Sequence, residues 1–175
     1  MHLKKIRKKT AKPFVFLHGV KICAYEDVPP VGQKIMDGLD ALMQKREIKM
    51  AGAPLWAYQK ASPGKLKLKA GFPVKKGTRA AKPFAARLEP EWNCLSADYT
   101  GSMEYIIEAW MELFDYAMEK GIDATDERRE IYKKWTVFDS KDNVTELQLR
   151  FVPEKKKKAK VKAKAKKASA KKSGR

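Results

Sequence analysis

The chain has 175 residues, enough for one domain with added tails, and its 43% hydrophobic residues exclude an entirely disordered protein. Its 39 lysines and arginines outnumber 21 aspartates and glutamates, and the resulting charge of +18 favours a polyanionic partner. No apolar run reaches about eighteen residues, so no membrane-spanning helix is predicted. Cys23 and Cys94 are far apart and fit no metal-ligand spacing, which indicates two buried thiols in a cytoplasmic protein.

The positive charge is concentrated at the two ends of the chain. Residues 1–12 contain six basic residues and residues 155–175 contain twelve, with no acidic residue in either segment. The body between them carries 21 residues of each sign and is neutral. We therefore divide the chain into a basic N-terminal arm (1–12), a globular domain (13–153) and a Lys/Ala-rich tail (154–175). We expect the tail to be disordered because it has almost nothing to bury.

The first half of the domain is predicted to contain a strand, a helix and a hairpin. Residues 14–25 are rich in β-forming side chains, which favours a strand. Apolar residues at three- and four-residue steps predict a helix near 31–46, although Gly32 and Gly38 weaken it. Strands at 55–58 and 66–74 are predicted to pair across the Ser-Pro-Gly turn at 62–64.

The second half is predicted to repeat this order after a linker at 75–83. Strands are expected at 84–88 and 92–99. The clearest apolar periodicity in the chain predicts a helix over 102–121, with Ser102 as its N-cap and Gly121 as its C-terminal stop. Strands at 131–138 and 144–152 are predicted to form a second hairpin across 140–143.

The two halves therefore form a tandem βαββ repeat, with repeat one at about 13–78 and repeat two at 83–153. Tyr58 and Tyr132 occupy matching places, 74 residues apart. Two such units predict an α+β fold in which one antiparallel sheet carries both helices on the same face.

Several segments resemble the GyrI-like small-molecule-binding domain, found in a DNA gyrase inhibitor and in the effector-binding half of multidrug-responsive regulators. They are residues 98–121, REIYKKW at 129–135 and TELQLRFVP at 145–153, with first-repeat counterparts at 54–60 and 68–74. The resemblance covers about 13–153 and implies a ligand groove on the sheet face away from the helices. Because the N-terminal arm is too short for a helix-turn-helix module, we expect a stand-alone ligand-binding protein.

The resemblance also implies a glutamate among aromatic side chains in the groove, and Glu146 stands at the matching position. Alternation along its strand supports this, because Leu147 and Leu149 would face the helices and Glu146 the other side. A carboxylate beside aromatic rings attracts a cation, with about 0.5–2 kcal/mol from cation–π contact. We expect an amphipathic or aromatic ligand. The predicted ligand-binding residues are Glu146, Trp56, Tyr58, Trp92, Tyr132 and Trp135.

Other interpretations of these residues stay open. Glu146 could be a solvated strand residue paired with a lysine, and the aromatic side chains could serve packing alone. The basic residues Arg128, Arg129, Lys133 and Lys134 leave an anionic or neutral ligand open. We expect binding rather than catalysis, and neither a cofactor nor a metal site is predicted.

Two further functions follow from the family resemblance as alternatives. One is a hydrolase of reactive DNA-alkylating small molecules, for which Glu146, Tyr132 and Trp56 would be the catalytic residues. The other is a gyrase-inhibitor-like protein that interacts through its surface.

The tail predicts non-specific binding to DNA or another polyanion, and hence association with the nucleoid. Clustered lysines displace counterions from a phosphate backbone without reading bases. A solubilising tail, or one attracted to acidic lipid or protein, is the alternative. The predicted nucleic-acid-binding residues are Lys155, Lys156, Lys157, Lys158, Lys160, Lys162, Lys164, Lys166, Lys167, Lys171 and Lys172.

Overall fold

Nine strands and two α-helices make up the structure, a computed structural model that describes residues 2–153. The lysines predicted to bind nucleic acid lie outside the described residues. A 3₁₀ turn at Met103–Tyr105 precedes the second helix. The elements are β1 (His2–Leu3), β2 (Arg7–Ala11), β3 (Phe14–Ala24), α1 (Val28–Lys45), β4 (Leu55–Ser62), β5 (Lys65–Val74), β6 (Ala85–Glu89), β7 (Trp92–Thr100), α2 (Ile106–Glu119), β8 (Ala124–Lys134) and β9 (Val144–Phe151).

The strands form one antiparallel sheet, and its order reflects the repeat. From one edge to the other the order is β1 and β2 together, then β7, β9, β8, β4, β5, β3 and β6. Nine strands thus fill eight positions of a curled half-barrel. The matching strands of the two repeats, β4 and β8, are neighbours at the centre. The predicted α+β fold is confirmed.

Both helices pack on the same face of this sheet, as predicted. Helix α1 buries Ile35 and Leu39 against β3 and β5, and α2 buries Leu113 and Ala117 against β7 and β9. Each helix therefore covers one repeat. The centre of the sheet, where β4 meets β8, lies between them.

The residues of the predicted N-terminal arm form the edge of the sheet. Strand β2 pairs with β7 over five residues, from Arg7 opposite Ser96 to Ala11 opposite Trp92. The Lys9 side chain lies on the face of the sheet away from the helices, where it contacts Glu146. Part of the basic segment is thus built into the domain.

Helix α1 and strand β8 are among the elements whose bounds differ from the sequence prediction. Helix α1 begins at Val28, whereas the sequence predicted a start near residue 31. The two prolines that follow Val28 are tolerated there because the backbone N–H groups of a first turn have no helical partners. Strand β8 covers Ala124–Lys134, whereas the sequence predicted 131–138. Its first half is a polar run that lacks the expected alternation. The chain after β8 is held by Asn143, which accepts from the Thr136 N–H (2.8 Å) and donates to the Val137 carbonyl (2.6 Å).

The two cysteines are buried and free, as predicted. Burial raises the pKa of the Cys94 thiol to about 12, so this side chain stays protonated and unreactive at neutral pH. Neither of the helices within residues 2–153 is long and apolar enough to cross a membrane.

Candidate functional site

A glutamate and several aromatic side chains lie together where β4 meets β8, in the gap between the two helices. Trp56 on β4 and Glu130 on β8 are direct partners in the ladder, so their side chains face the same side of the sheet. That side carries the helices, because the Trp56 indole packs directly against Gly32 of α1. Glu130 is 6% exposed. We treat this cluster as the candidate site.

Three neutral donors hold the Glu130 carboxylate. Tyr58 Oη donates to Oε2 at 2.6 Å and Tyr132 Oη donates to the same oxygen at 2.8 Å. Trp110 Nε1, on α2, donates to Oε1 at 2.8 Å. Both repeats and α2 therefore contribute to one buried carboxylate.

The two tyrosines stay protonated at neutral pH. Burial, together with the nearby Glu130 charge, raises the pKa of Tyr58 and of Tyr132 well above the ordinary value of 10. Their hydroxyl groups therefore remain hydrogen-bond donors and bring no negative charge to the site.

Aromatic rings cover the carboxylate on the solvent side. Trp56 and Tyr132 meet edge to face with ring centroids 5.8 Å apart, and Tyr132 meets Trp135 in the same way at 5.5 Å. Trp135 follows the end of β8 and is 49% exposed. The rings thus form a continuous wall from the buried glutamate to the surface.

The Glu130 carboxylate has no cationic partner of its own within the described chain. The ion pairs of residues 2–153 include none to Glu130, with a limit of 4.0 Å between nitrogen and oxygen. The Arg128 guanidinium lies over two rings of the cluster, 5.7 Å from the Tyr58 centroid and 5.8 Å from the Trp110 centroid. These two rings thus already carry a cation of the protein itself, which forms no ion pair with Glu130.

Glu146 lies on the opposite face of the sheet and is fully engaged there. It accepts from Lys9 Nζ (2.6 Å), Ser96 Oγ (2.8 Å) and Gln148 Nε2 (2.8 Å), and Lys133 Nζ lies 2.9 Å away. Burial alone would raise the pKa of Glu146, but these donors outweigh burial and hold the pKa at about 2. Two lysines thus neutralise this carboxylate.

The opposite face is closed by a second charged group. Arg129, 2% exposed, donates to Glu89 on the distant edge strand β6 at 2.8 Å. Its guanidinium stacks on Trp92 at 3.7 Å from the ring centroid, and Phe14 lies at 5.4 Å. The pair bridges the curl of the half-barrel and joins β8 to the edge strand β6 on this face.

The structure brings together four of the six residues predicted to bind a ligand. Trp56, Tyr58, Tyr132 and Trp135 form the wall around Glu130. Glu146 and Trp92 lie on the other face, because Glu146 alternates with Leu147, which packs under α2. The groove was predicted on that other face, whereas the aromatic cluster lies on the helical one. Ligand binding by any of the six stays a prediction.

Sequence reasoning did not assign Glu130 or Trp110 to the site, and it considered Arg128 only as one of several nearby basic residues. A usable signal for Glu130 was the repeat itself, since the offset of 74 residues that relates Tyr58 to Tyr132 also relates Trp56 to Glu130. Trp110 had no such signal, because its spacing fits a helix core. Among residues 2–153, no three histidine, cysteine or acidic side chains are grouped so that they could hold a metal ion.

Comparison with known proteins finds relatives in structure only. No protein-family model and no curated protein sequence matches the chain. The C-terminal domain of EcmrR superposes with a TM-score of 0.68 at 16% identity, covering 87% of this chain and 99% of that one. SAV2435 bound to tetraphenylphosphonium gives 0.65 at 9% identity, covering 85% and 94%. EcmrR in a complex with DNA gives 0.66 at 15%, covering 84% and 57%. The chain shares the fold of these proteins.

Proposed function

We propose that the protein binds a small aromatic or amphipathic cation in the gap between its two helices, with Glu130 as the anionic anchor. Trp56, Tyr58, Tyr132 and Trp135 supply the ring surfaces. Trp110 fixes the carboxylate from α2. The proposal retains the predicted ligand class and four of the predicted residues, and it moves the carboxylate from Glu146 to Glu130.

The contrast between the two buried glutamates carries the proposal. Glu146 has two lysines within 2.9 Å, so its charge is already compensated. Glu130 receives hydrogen bonds from three neutral donors and forms no ion pair within the described residues. A buried, uncompensated carboxylate beside ring faces is the environment that favours an organic cation over a neutral molecule.

Binding requires a movement of the rings, because the cluster is closed in the free protein. Tyr58 and Trp110 are each 7% exposed. Trp135 is the most accessible ring, and its contact within the cluster is the edge of Tyr132. Displacement of Trp135, followed by rotation of Trp56, would open the cluster toward Glu130.

One of the structural neighbours supports the ligand class. Tetraphenylphosphonium, which is bound by SAV2435, is a monocation surrounded by aromatic rings. Such a molecule suits a carboxylate enclosed by tryptophan and tyrosine. It also supplies a probe for the present protein.

Calorimetric titration of the full chain with tetraphenylphosphonium tests the proposal. Glu130→Gln keeps the shape of the side chain and removes its charge, so affinity should fall at least about tenfold, or about 1.4 kcal/mol. The matched control is Glu146→Gln, which removes an equally buried charge on the other face and should change affinity less than about twofold.

A neutral probe separates charge from shape. Triphenylphosphine oxide should bind more weakly than the cation, and Glu130→Gln should affect it little. Equal losses for Glu130→Gln and Glu146→Gln, or no binding of the cation to a folded wild-type protein, would contradict the proposed site.

The same proposal includes non-specific binding to nucleic acid by the basic ends of the chain. Residues 155–175 contribute twelve positive charges and no acidic ones. Their lysines would release counterions from a phosphate backbone. In the N-terminal segment Lys9 is committed to Glu146, whereas Lys4, Lys5, Arg7, Lys8 and Lys12 are exposed.

A further inference from the structure

A basic depression lies at the C-terminal end of α1. Its walls are the segment that follows the helix, 46–49, and the segment that follows β5, 75–79. The two segments are held side by side by a β-bridge between Met50 and Val74 and by the bond from the Ala51 N–H to the Pro73 carbonyl (2.8 Å). The depression is open to solvent and has a volume of about 420 Å³. The lining residues are Arg46, Glu47, Ile48, Lys49, Lys75, Thr78 and Arg79.

The positive charges in this depression are not neutralised. Four of its side chains are cationic, and Glu47 is the one acidic residue among the seven that line it. None of the four cations takes part in an ion pair of the described chain, with a limit of 4.0 Å. All four are exposed. Four convergent charges without partners raise the local potential and attract an anion.

The surrounding half of the molecule strengthens this potential. Residues 13–78, which contain repeat one, carry eleven lysines and arginines against five aspartates and glutamates. Residues 83–153, which contain repeat two, carry eight against fifteen. The neutral domain is therefore an electrical dipole, with the basic depression on its positive half. A polyanion would be attracted to repeat one and repelled by repeat two.

We propose that this depression binds phosphate groups of a nucleic-acid backbone, so that the domain itself, and not only the termini, contacts the nucleic acid. The exposure of all four cations favours an extended ligand that passes across the surface over a small molecule that must be enclosed. No base-reading element accompanies them, so the contact is to phosphate and is independent of sequence. This inference rests on the nucleic-acid part of the proposed function and is separate from the ligand site at Glu130.

The test measures the affinity of the full chain for duplex DNA across a range of salt concentrations. A quadruple variant, Arg46→Gln, Lys49→Gln, Lys75→Gln and Arg79→Gln, should reduce the slope of log affinity against log salt by about 2–4. Each lost phosphate contact contributes about 0.9 to that slope. The matched control removes the same charge from exposed lysines outside the depression, through Lys21→Gln, Lys34→Gln, Lys60→Gln and Lys65→Gln. Its slope should change by less than about 1.

A footprint of the unmodified protein gives a second readout that does not depend on folding of the variants. Bound DNA should slow acylation of the amines of Lys49 and Lys75, while Lys60 and Lys65 react at their free rate. Equal slopes for the two quadruple variants, or equal protection of both lysine pairs, would overturn the phosphate site and leave general electrostatic binding. Absence of any DNA binding by the full chain would overturn both this inference and the nucleic-acid part of the proposed function. Neither result would affect tetraphenylphosphonium binding.

Discussion

At the scale of single residues, Gly32 determines how closely α1 approaches the candidate site. A Cβ atom at this position would lie 2.3–2.6 Å from three carbon atoms of the Trp56 indole, well inside contact distance. The glycine weakens the helix prediction from sequence, since glycine costs about 1 kcal/mol in a helix interior. The structure explains why a glycine stands here, because only a residue without a side chain leaves room for the Trp56 indole beside Glu130.

We therefore expect Gly32→Ala to disturb the site despite its higher helix propensity. The gain of about 1 kcal/mol in propensity is opposed by overpacking of about 1–3 kcal/mol, so the free energy of unfolding should fall slightly. Trp56 must leave its position, so tryptophan fluorescence and tetraphenylphosphonium affinity should both change. Lys34→Ala, on the exposed side of the same helix, should alter neither. A stabilised Gly32→Ala variant with unchanged fluorescence would contradict the packing described.

At the scale of elements, the contrast between β8 and its neighbours shows which parts of the fold a single sequence can predict. Helix α2 and the strand ending at Phe151 have regular apolar periods, so their existence and facing were predictable. The first half of β8 has none, because Arg129 points to one buried side and Glu130 to the other. Their partners, Glu89, Tyr58 and Trp110, come from other elements, and a single sequence does not reveal such pairings.

Glu146 connects four strands on the other face, and this connection should be sensitive to acid. Its partners come from β2, β7, β8 and β9 itself. Its pKa is lowered from the ordinary 4.5 to about 2, so the folded state is favoured above pH 4.5 and this advantage is lost as pH falls toward 2. The loss should amount to up to about 3 kcal/mol.

Urea unfolding at several pH values measures this contribution. The wild-type free energy of unfolding should decrease between pH 4.5 and 2, and Glu146→Gln should be less stable at pH 7 and show a flatter decrease. Glu112→Gln, at an exposed position of α2, should retain the wild-type pH dependence. An unchanged acid profile in Glu146→Gln would mean that the lysine contacts do not persist in solution.

At the scale of the whole molecule, the two proposed functions would use different parts of the chain. The helical face carries the aromatic cluster, and the other face is locked by Arg129 with Glu89 and by Glu146 with its lysines. Along the sequence, positive charge is concentrated in repeat one and in the two terminal segments, whereas repeat two, which contains α2, is acidic. Small-molecule binding and polyanion binding would therefore use separate surfaces and could occur together.

The proposed role of the tail predicts a simple salt dependence. Replacing the eleven lysines of residues 155–172 by glutamine in the full chain should lower affinity for duplex DNA strongly at low salt and reduce the slope of log affinity against log salt. A chain in which the same tail residues are scrambled keeps the charge and should keep the affinity. Unchanged binding after glutamine replacement, or loss of binding after scrambling, would contradict a non-specific electrostatic tail.

The pairing of β2 with β7 has a consequence for how the molecule is assembled. The two strands meet across at least 81 residues of chain, so the ladder between them can close only after all of repeat one and the start of repeat two have been synthesised. Contacts of such long range form late and slowly. Until then Lys9 has no carboxylate to meet, and the edge of β7 stays unpaired. A nascent chain that stalls before Trp92 would carry its full basic segment free, available to any polyanion near the ribosome.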